Sequence, residues 1–225
     1  MTKRRSSRSK KDEGFKFRSV EAKSNNQKDY IISIAENDVV FCTGPSGSGK
    51  SYIAAGITAE HLFHNKIRRV VIARPLVATG KEIGHLPGEI MDKIAPYLMP
   101  MQEHFRHFLG KYYGEFANDI PPRIEYRPVE MMRGSTFDDT YMILDEAQNC
   151  TFEQIKMFVT RIGKNSKVLI NGDVKQTDLA TKSGLNRFIE LVDGIEGVGV
   201  ARMSNRDIQR HDIIGRILQA VEDHE

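Results

Sequence analysis

An α/β fold with a mostly parallel sheet flanked by helices is the architecture this sequence predicts, and three observations predict it. From Val39 onward, short β-branched runs alternate with longer stretches of helical spacing, the pattern of parallel strands joined by helical crossovers. The candidate strands are nearly continuous in apolar content, as strands covered on both faces are. A glycine-rich segment stands directly between the first of these strands and the helical pattern that follows it.

The chain of 225 residues is within reach of one large domain, and 40% apolar content is enough for a packed core. We expect a disordered tail over 1–14 and a single domain over 15–225. The tail carries Lys3, Arg4, Arg5, Arg8, Lys10 and Lys11, with no apolar residue between Met1 and Phe15, so it has nothing to bury. It reads as a solvated extension or as an arm for phosphate groups. It is not a signal peptide, and although its Arg and Ser suggest a transit peptide, no amphipathic helix can be drawn through it. Beyond the tail, acidic and basic residues nearly balance, so net charge makes no case for nucleic acid. Cys42 and Cys150 have no metal-ligand spacing and suit a reducing compartment. No apolar run approaches a membrane span, and a cytoplasmic location is the expectation.

The first strand, Val39 to Thr43, leads into Gly44-Pro45-Ser46-Gly47-Ser48-Gly49-Lys50-Ser51, which fits G-x-x-x-x-G-K-[ST] at every fixed position. Glycines let the backbone curl until successive amides point at a phosphate, and the helix N-terminus adds partial positive charge. Lys50 is expected to bridge the β- and γ-phosphates and Ser51 to hold Mg²⁺. The second strand, Arg69 to Ala73, ends at Arg74, which reaches the same edge of the sheet. Between Arg74 and Pro122, Gly80, Gly84, Pro87, Gly88, Pro96 and Pro100 interrupt the pattern, and we expect loops and short helices outside the sheet. Ile124 to Arg127 is the third strand.

The fourth strand, Tyr141 to Leu144, runs into Asp145-Glu146 and reads as a Walker B strand. Asp145 would orient a ligand in the Mg²⁺ shell, and Glu146 would polarise the water that attacks the γ-phosphate. A plain acidic helix start is the bland alternative. A Thr151-x-x-Gln154 capping box then opens a helix over Phe152 to Ile162, with Ile155, Phe158, Val159 and Ile162 at helical spacing. Lys167 to Ile170 is the fifth strand, so Asn171-Gly172-Asp173, with Gln176 beyond it, emerges on the active edge either as a phosphate sensor or as a simple turn. The sixth strand, Val198 to Met203, is followed by Arg206 and Arg210 and by an amphipathic helix through Ile213, Ile217 and Val221. One of Arg202, Arg206 and Arg210 could neutralise transition-state charge; a surface ion pair is the alternative for each. Cys42 and Cys150 fall near the active edge as small apolar filler.

Gln27, the phosphate loop, Arg74-Pro75, Gly84-His85-Leu86-Pro87-Gly88, Met132-Arg133-Gly134, Leu144-Asp145-Glu146-Ala147-Gln148, Gly172-Asp173 with Gln176, and Arg210-His211, taken in this order, resemble the PhoH family of phosphate-starvation ATPases over about Asn25 to Val221. The resemblance implies a RecA-like P-loop core related to superfamily-one helicases, with ATP and Mg²⁺ as ligands. It gives Gln27 an adenine-reading role, and the nucleotide-binding set becomes Gln27, Gly44, Pro45, Ser46, Gly47, Ser48, Gly49, Lys50, Ser51 and Tyr52. Lys50, Glu146, the γ-phosphate-sensing Gln176 and Arg210 of the terminal basic motif form the catalytic set, and Ser51 and Asp145 the metal set. Superfamily-one helicases close a second RecA-like domain over ATP, and some PhoH proteins carry an extra domain. About fifty residues follow Asp173, too few for either. A closing arginine would then come from the chain's own tail or from a neighbour, and a ring-like homo-oligomer, a hexamer, is the expected assembly.

Three functions fit: an ATPase acting on RNA or single-stranded DNA, an assembly protein whose state is set by nucleotide, and a small-molecule phosphotransferase. The water-directed Glu146 and the lack of an arginine-rich lid disfavour the last. No aromatic-rich stacking surface stands out in the sequence, so nucleic acid as partner is carried by the resemblance.

Overall fold

The computed structural model describes residues 15–75, 90–174, 176 and 183–209, without the side chains of 90–97. The basic tail, Arg210 and the expected helix through Ile213 and Val221 lie outside the described residues. Twelve principal elements follow in the order α1 (Asn25–Glu36), β1 (Val39–Thr43), α2 (Lys50–Phe63), β2 (Arg69–Arg74), α3 (Ile90–Leu109), α4 (Tyr113–Ala117), β3 (Ile124–Pro128), β4 (Thr140–Leu144), α5 (Phe152–Val159), β5 (Lys167–Gly172), α6 (Leu185–Val192) and β6 (Val198–Arg202). All six expected strands form, and every pairing between them is parallel.

The strand order is β3-β2-β4-β5-β1-β6. Because neighbours on a strand point to opposite faces, all strands but β3 feed two cores. Val40, Cys42, Val70, Ile72, Tyr141 and Ile143 join α1, α2 and α3 on one face. Phe41, Val71, Ala73, Met142, Leu144 and Val168 join α5 and α6 on the other. The inner strand β4 is buried along its whole length, whereas the edge strands β3 and β6 keep partly exposed positions, since each pairs on one side alone.

Two expectations change. The region between Arg74 and Pro122 does lie outside the sheet, but it holds α3, a helix of 20 residues rather than short pieces. Pro96 and Pro100 each remove an amide donor, and an interior proline costs about 3 kcal/mol. Against that, Leu98, Met101, Phe105, Phe108 and Leu109 are buried in a stripe of helical spacing, each contributing about 1.5–3 kcal/mol. The buried stripe wins. The expected helix over Phe152 to Ile162 begins with its capping box at Thr151 and Gln154 but stops at Val159. There the amides of Arg161 and Ile162 tighten to three-residue bonds, and Ile162 leaves to bridge Phe137 in parallel fashion.

Helices α1 and α6 were without a sequence expectation. The hydroxyl of Ser24 caps α1 by accepting from the Gln27 amide, and Tyr30 and Ile34, one turn apart, bury its inner face. No helix among the described residues is long and apolar enough to cross a membrane.

Candidate nucleotide-binding site

The carboxyl ends of β1, β5, β4 and β2 open into one cleft of about 1660 Å³. Strand β5 lies between β1, which carries the phosphate loop, and β4, which carries the two acids. The Asn171-Gly172-Asp173 end of β5 therefore emerges between loop and acids, on the edge the sequence indicated.

The loop is shaped by backbone. Gly44, Gly47 and Gly49 have φ of 148°, 83° and 95°, where L side chains are strained. A Cβ on Gly44 would stand 2.7 Å from the backbone oxygen of Met203. Lys50 curls over the loop, its ammonium donating to the carbonyls of Gly44 at 2.6 Å and Pro45 at 2.9 Å. The buried Ser48 hydroxyl donates to the Pro45 carbonyl. From outside, the Met203 amide donates to the Thr43 carbonyl and the Gln209 amide to that of Gly47. That outer segment is pinned by Asp207, whose carboxylate accepts from the Ser204 amide, the Ser204 hydroxyl and Asn26. Burial alone would push the Asp207 carboxyl up, but Ser24, Asn26 and the Ser204 amide and hydroxyl together hold it below the usual carboxylate range.

Gln27, 3% exposed, holds the loop from α1: its Nε2 donates to the Ser48 carbonyl and its Oε1 accepts from the Lys23 amide. One N–H and one lone pair of that amide remain for a nucleobase. Tyr52, on the first turn of α2, packs edge-on against His104 and beside Phe108, with its hydroxyl 3.4 Å from His107 Nε2. Ser46, Gln27, Tyr52 and Gln176 all line the cleft, Gln176 exposed beyond its amide bond to the Asp173 carbonyl.

Across the cleft, the Ser51 hydroxyl donates to Asp145 Oδ1 at 2.6 Å. A buried carboxylate and a hydroxyl, both hard oxygen donors beside a phosphate loop, fit Mg²⁺ shared with phosphate oxygens. Asp145 is 3% exposed, and burial pushes its carboxyl above the ordinary range; Arg74 opposes this, Glu146 adds to it, and Ser51 and Lys50 oppose it further. Arg74 joins the two acids, with Nε 3.6 Å from Asp145 Oδ2 and Nη2 2.9 Å from Glu146 Oε1. Its side chain is only 16% exposed, so this is an internal clamp rather than a surface ion pair. Arg202 makes the surface pair, with Asp193, both side chains at least half exposed.

Two functional groups escaped the sequence reading as individuals. Gln148 donates to Glu146 Oε2 at 2.6 Å. Asn171, fully buried at the end of β5, accepts at Oδ1 from the Tyr30 hydroxyl while its Nδ2 has no partner among the described residues. A buried donor lining the cleft is placed to meet an acceptor on a ligand there. Neither residue type signals this in sequence, because a glutamine two residues from an acid is common and the partner of Asn171, Tyr30, lies far away on α1.

A family model described as PhoH-like protein matches residues 19–222. A PhoH-like protein of Bacillus subtilis (strain 168) is 39% identical over 207 residues, covering 91% of this chain and 65% of the relative. Protein PhoH of Escherichia coli (strain K12) is 37% identical over 204 residues, covering 88% of this chain and 57% of the relative. The chain thus spans about three fifths of the length of these relatives. Among solved structures, the UvsW helicase from bacteriophage T4 superposes with a TM-score of 0.52 at 14% identity, over 85% of this chain and 64% of that one. That likeness speaks for the fold alone, a RecA-like α/β core.

Proposed function

The chain belongs to the PhoH-like protein family, and from that premise we propose that it is an ATPase that hydrolyses ATP with Mg²⁺ and couples turnover to RNA or single-stranded DNA. The observation that carries the hydrolytic half is the convergence of Lys50, Ser51, Asp145 and Glu146 on one cleft from two strands separated by β5. In this reading Lys50 leaves the Gly44 and Pro45 carbonyls for phosphate oxygens, exchanging neutral acceptors for charged ones. Asp145 and Ser51 would hold Mg²⁺, which would neutralise charge on the triphosphate. Glu146 Oε1 or Oε2 takes a proton from the attacking water, and Arg74 holds that carboxylate in place. Asn171 Nδ2 donates to the terminal phosphate, and Gln176 reaches it from the same end of β5. Gln27 reads the adenine edge.

The nucleic-acid half draws support from the outer wall of the cleft. There Lys16, Arg18 and Lys23 meet Phe17, Tyr52, His104 and His107, a basic and aromatic lining gathered from three segments. In this reading, that lining would offer the stacking surface that the sequence did not display. Arg74 already brings a guanidinium to the acids from within the chain, so the proposed hexamer need not supply one, and Arg210 is left as a further candidate. Light scattering with and without ATP tests the assembly.

The deciding experiment is steady-state ATP turnover of wild type and Glu146→Gln, with and without single-stranded RNA and DNA, at fixed low salt with Mg²⁺. Turnover stimulated by nucleic acid and lost in Glu146→Gln is the expected result. Turnover indifferent to both nucleic acids would remove the coupling, and no turnover in wild type would remove the hydrolase.

A further inference from the structure

Glu146 sits in the left-handed region, at φ 57° and ψ 40°, unusual for a residue with a side chain. The turn this makes sends the chain into the short 3₁₀ segment Ala147–Asn149 and returns Gln148 toward its own carboxylate. Gln148 is 4% exposed, and its amide has one orientation that works. Its Nε2 must face Glu146 Oε2, a pure acceptor, at 2.6 Å, and its Oε1 must face the Asp173 amide, a pure donor, at 3.0 Å. The two bonds run from the end of β4 to the end of β5. Gly172 supplies the clearance: a Cβ there would lie 3.1 Å from both the Gln148 amide nitrogen and Gln148 Oε1, and 2.5 Å from Leu185. The same β5 end carries Asn171, whose buried Nδ2 has no partner among the described residues.

We propose that Gln148 is a positioning residue that fixes the Glu146 carboxylate and ties it to the end of β5, so that occupation of the phosphate-sensing Asn171-to-Asp173 segment is transmitted to the water-activating group. Arg74 holds the other carboxylate oxygen, and Gln148 is the half of this grip that also touches the sensor strand. A carboxylate in place of this amide would face Glu146 with like charge; a thioether would keep the shape and lose both bonds.

The proposal rests on the hydrolase reading, and the experiment separates the two. Wild type, Gln148→Met, Gln148→Glu, Glu146→Gln and the double variant Glu146→Gln/Gln148→Met are compared in ATP turnover, in equilibrium binding of a fluorescent ATP analogue and in amide hydrogen exchange with and without ATP. Gln148→Met and Gln148→Glu should each lower kcat by about tenfold or more with nucleotide Kd within about twofold of wild type. The double variant should fall no more than about twofold below Glu146→Gln, because the two residues act as one unit. Nucleotide should slow exchange in segment 145–150 of wild type, and this response should vanish in Gln148→Met while that of 171–174 persists. Multiplicative losses in the double variant, or nucleotide-dependent protection of 145–150 that survives in Gln148→Met or is missing in wild type, would overturn the proposal. A wild type that protects both segments yet turns over no ATP would sink the hydrolase reading and leave the coupling standing.

Discussion

The phosphate loop and the acidic end of β4 face each other across one cleft, yet they are built in opposite ways. The loop is closed by contacts within its own eight residues: Lys50 on the carbonyls of Gly44 and Pro45, Ser48 on Pro45, and three glycines at positive φ. The acids are held almost wholly by residues distant in sequence. Asp145 meets Ser51 from α2 and Arg74 from β2, and Glu146 meets Arg74 and, through Gln148, the amide of Asp173. A site half local and half tertiary should therefore break differently on its two sides, the loop through ligand affinity and the acids through turnover and folding.

The largest expected effect sharpens this contrast directly. Glu146→Gln should lower kcat by on the order of 10²–10⁴ while nucleotide binding persists. Lys50→Ala should lower turnover by on the order of 10²–10³ and weaken nucleotide binding as well, because the lysine serves ground and transition states alike. Equilibrium binding beside steady-state kinetics reads both. Equal loss of affinity in the two variants would erase the distinction.

Next comes Arg74→Ala, which leaves Asp145 and Glu146 close together without the cation between them. Losing a partner of a buried charge costs on the order of 3–5 kcal/mol, an upper bound here because Ser51 still donates to Asp145. The pH dependence follows from sign. The folded Asp145 carboxyl is raised above its unfolded value, so the native state binds more protons and stability falls as pH rises between those two values. Removing Arg74 raises the folded value further. Denaturant midpoints should accordingly separate wild type from Arg74→Ala more widely at about pH 7 than at about pH 4. A constant gap would mean that Arg74 stabilises by packing rather than by charge.

The smallest effect concerns the brace behind the loop. Asp207→Asn should cost about 1–3 kcal/mol, since a carboxylate accepting from Ser204 and Asn26 loses its charge-assisted bonds. Here the folded value is depressed, so the stabilisation is present above the unfolded carboxyl range and is lost as pH falls through the folded value. Melting temperatures of wild type and Asp207→Asn should converge on acidification. A gap that persists in acid would mean that Asp207 braces the loop by shape rather than by charge.

How far the sequence could be read follows the same division between local and distant. The strands were legible because apolar continuity is a property of a few neighbouring side chains, and β1, β2, β4 and β5 appear where that pattern puts them. The capping box of α5 was legible for the same reason, since Thr151 and Gln154 satisfy each other within one turn. Helix α3 was missed because its prolines and flanking glycines are loud local signals, while the burial that overrides them depends on α2 lying alongside.

In the site, sequence alone determined the phosphate loop and the pair Asp145 and Glu146, because glycine conformation and a strand ending in acids are written in consecutive residues. Only the tertiary structure decided what Arg74, Gln148 and Asn171 do. An arginine, a glutamine and an asparagine are unremarkable in any sequence, and each takes its meaning from a partner brought near by the fold: the acids beyond β4 for Arg74, the Asp173 amide beyond β5 for Gln148, and Tyr30 of α1 for Asn171.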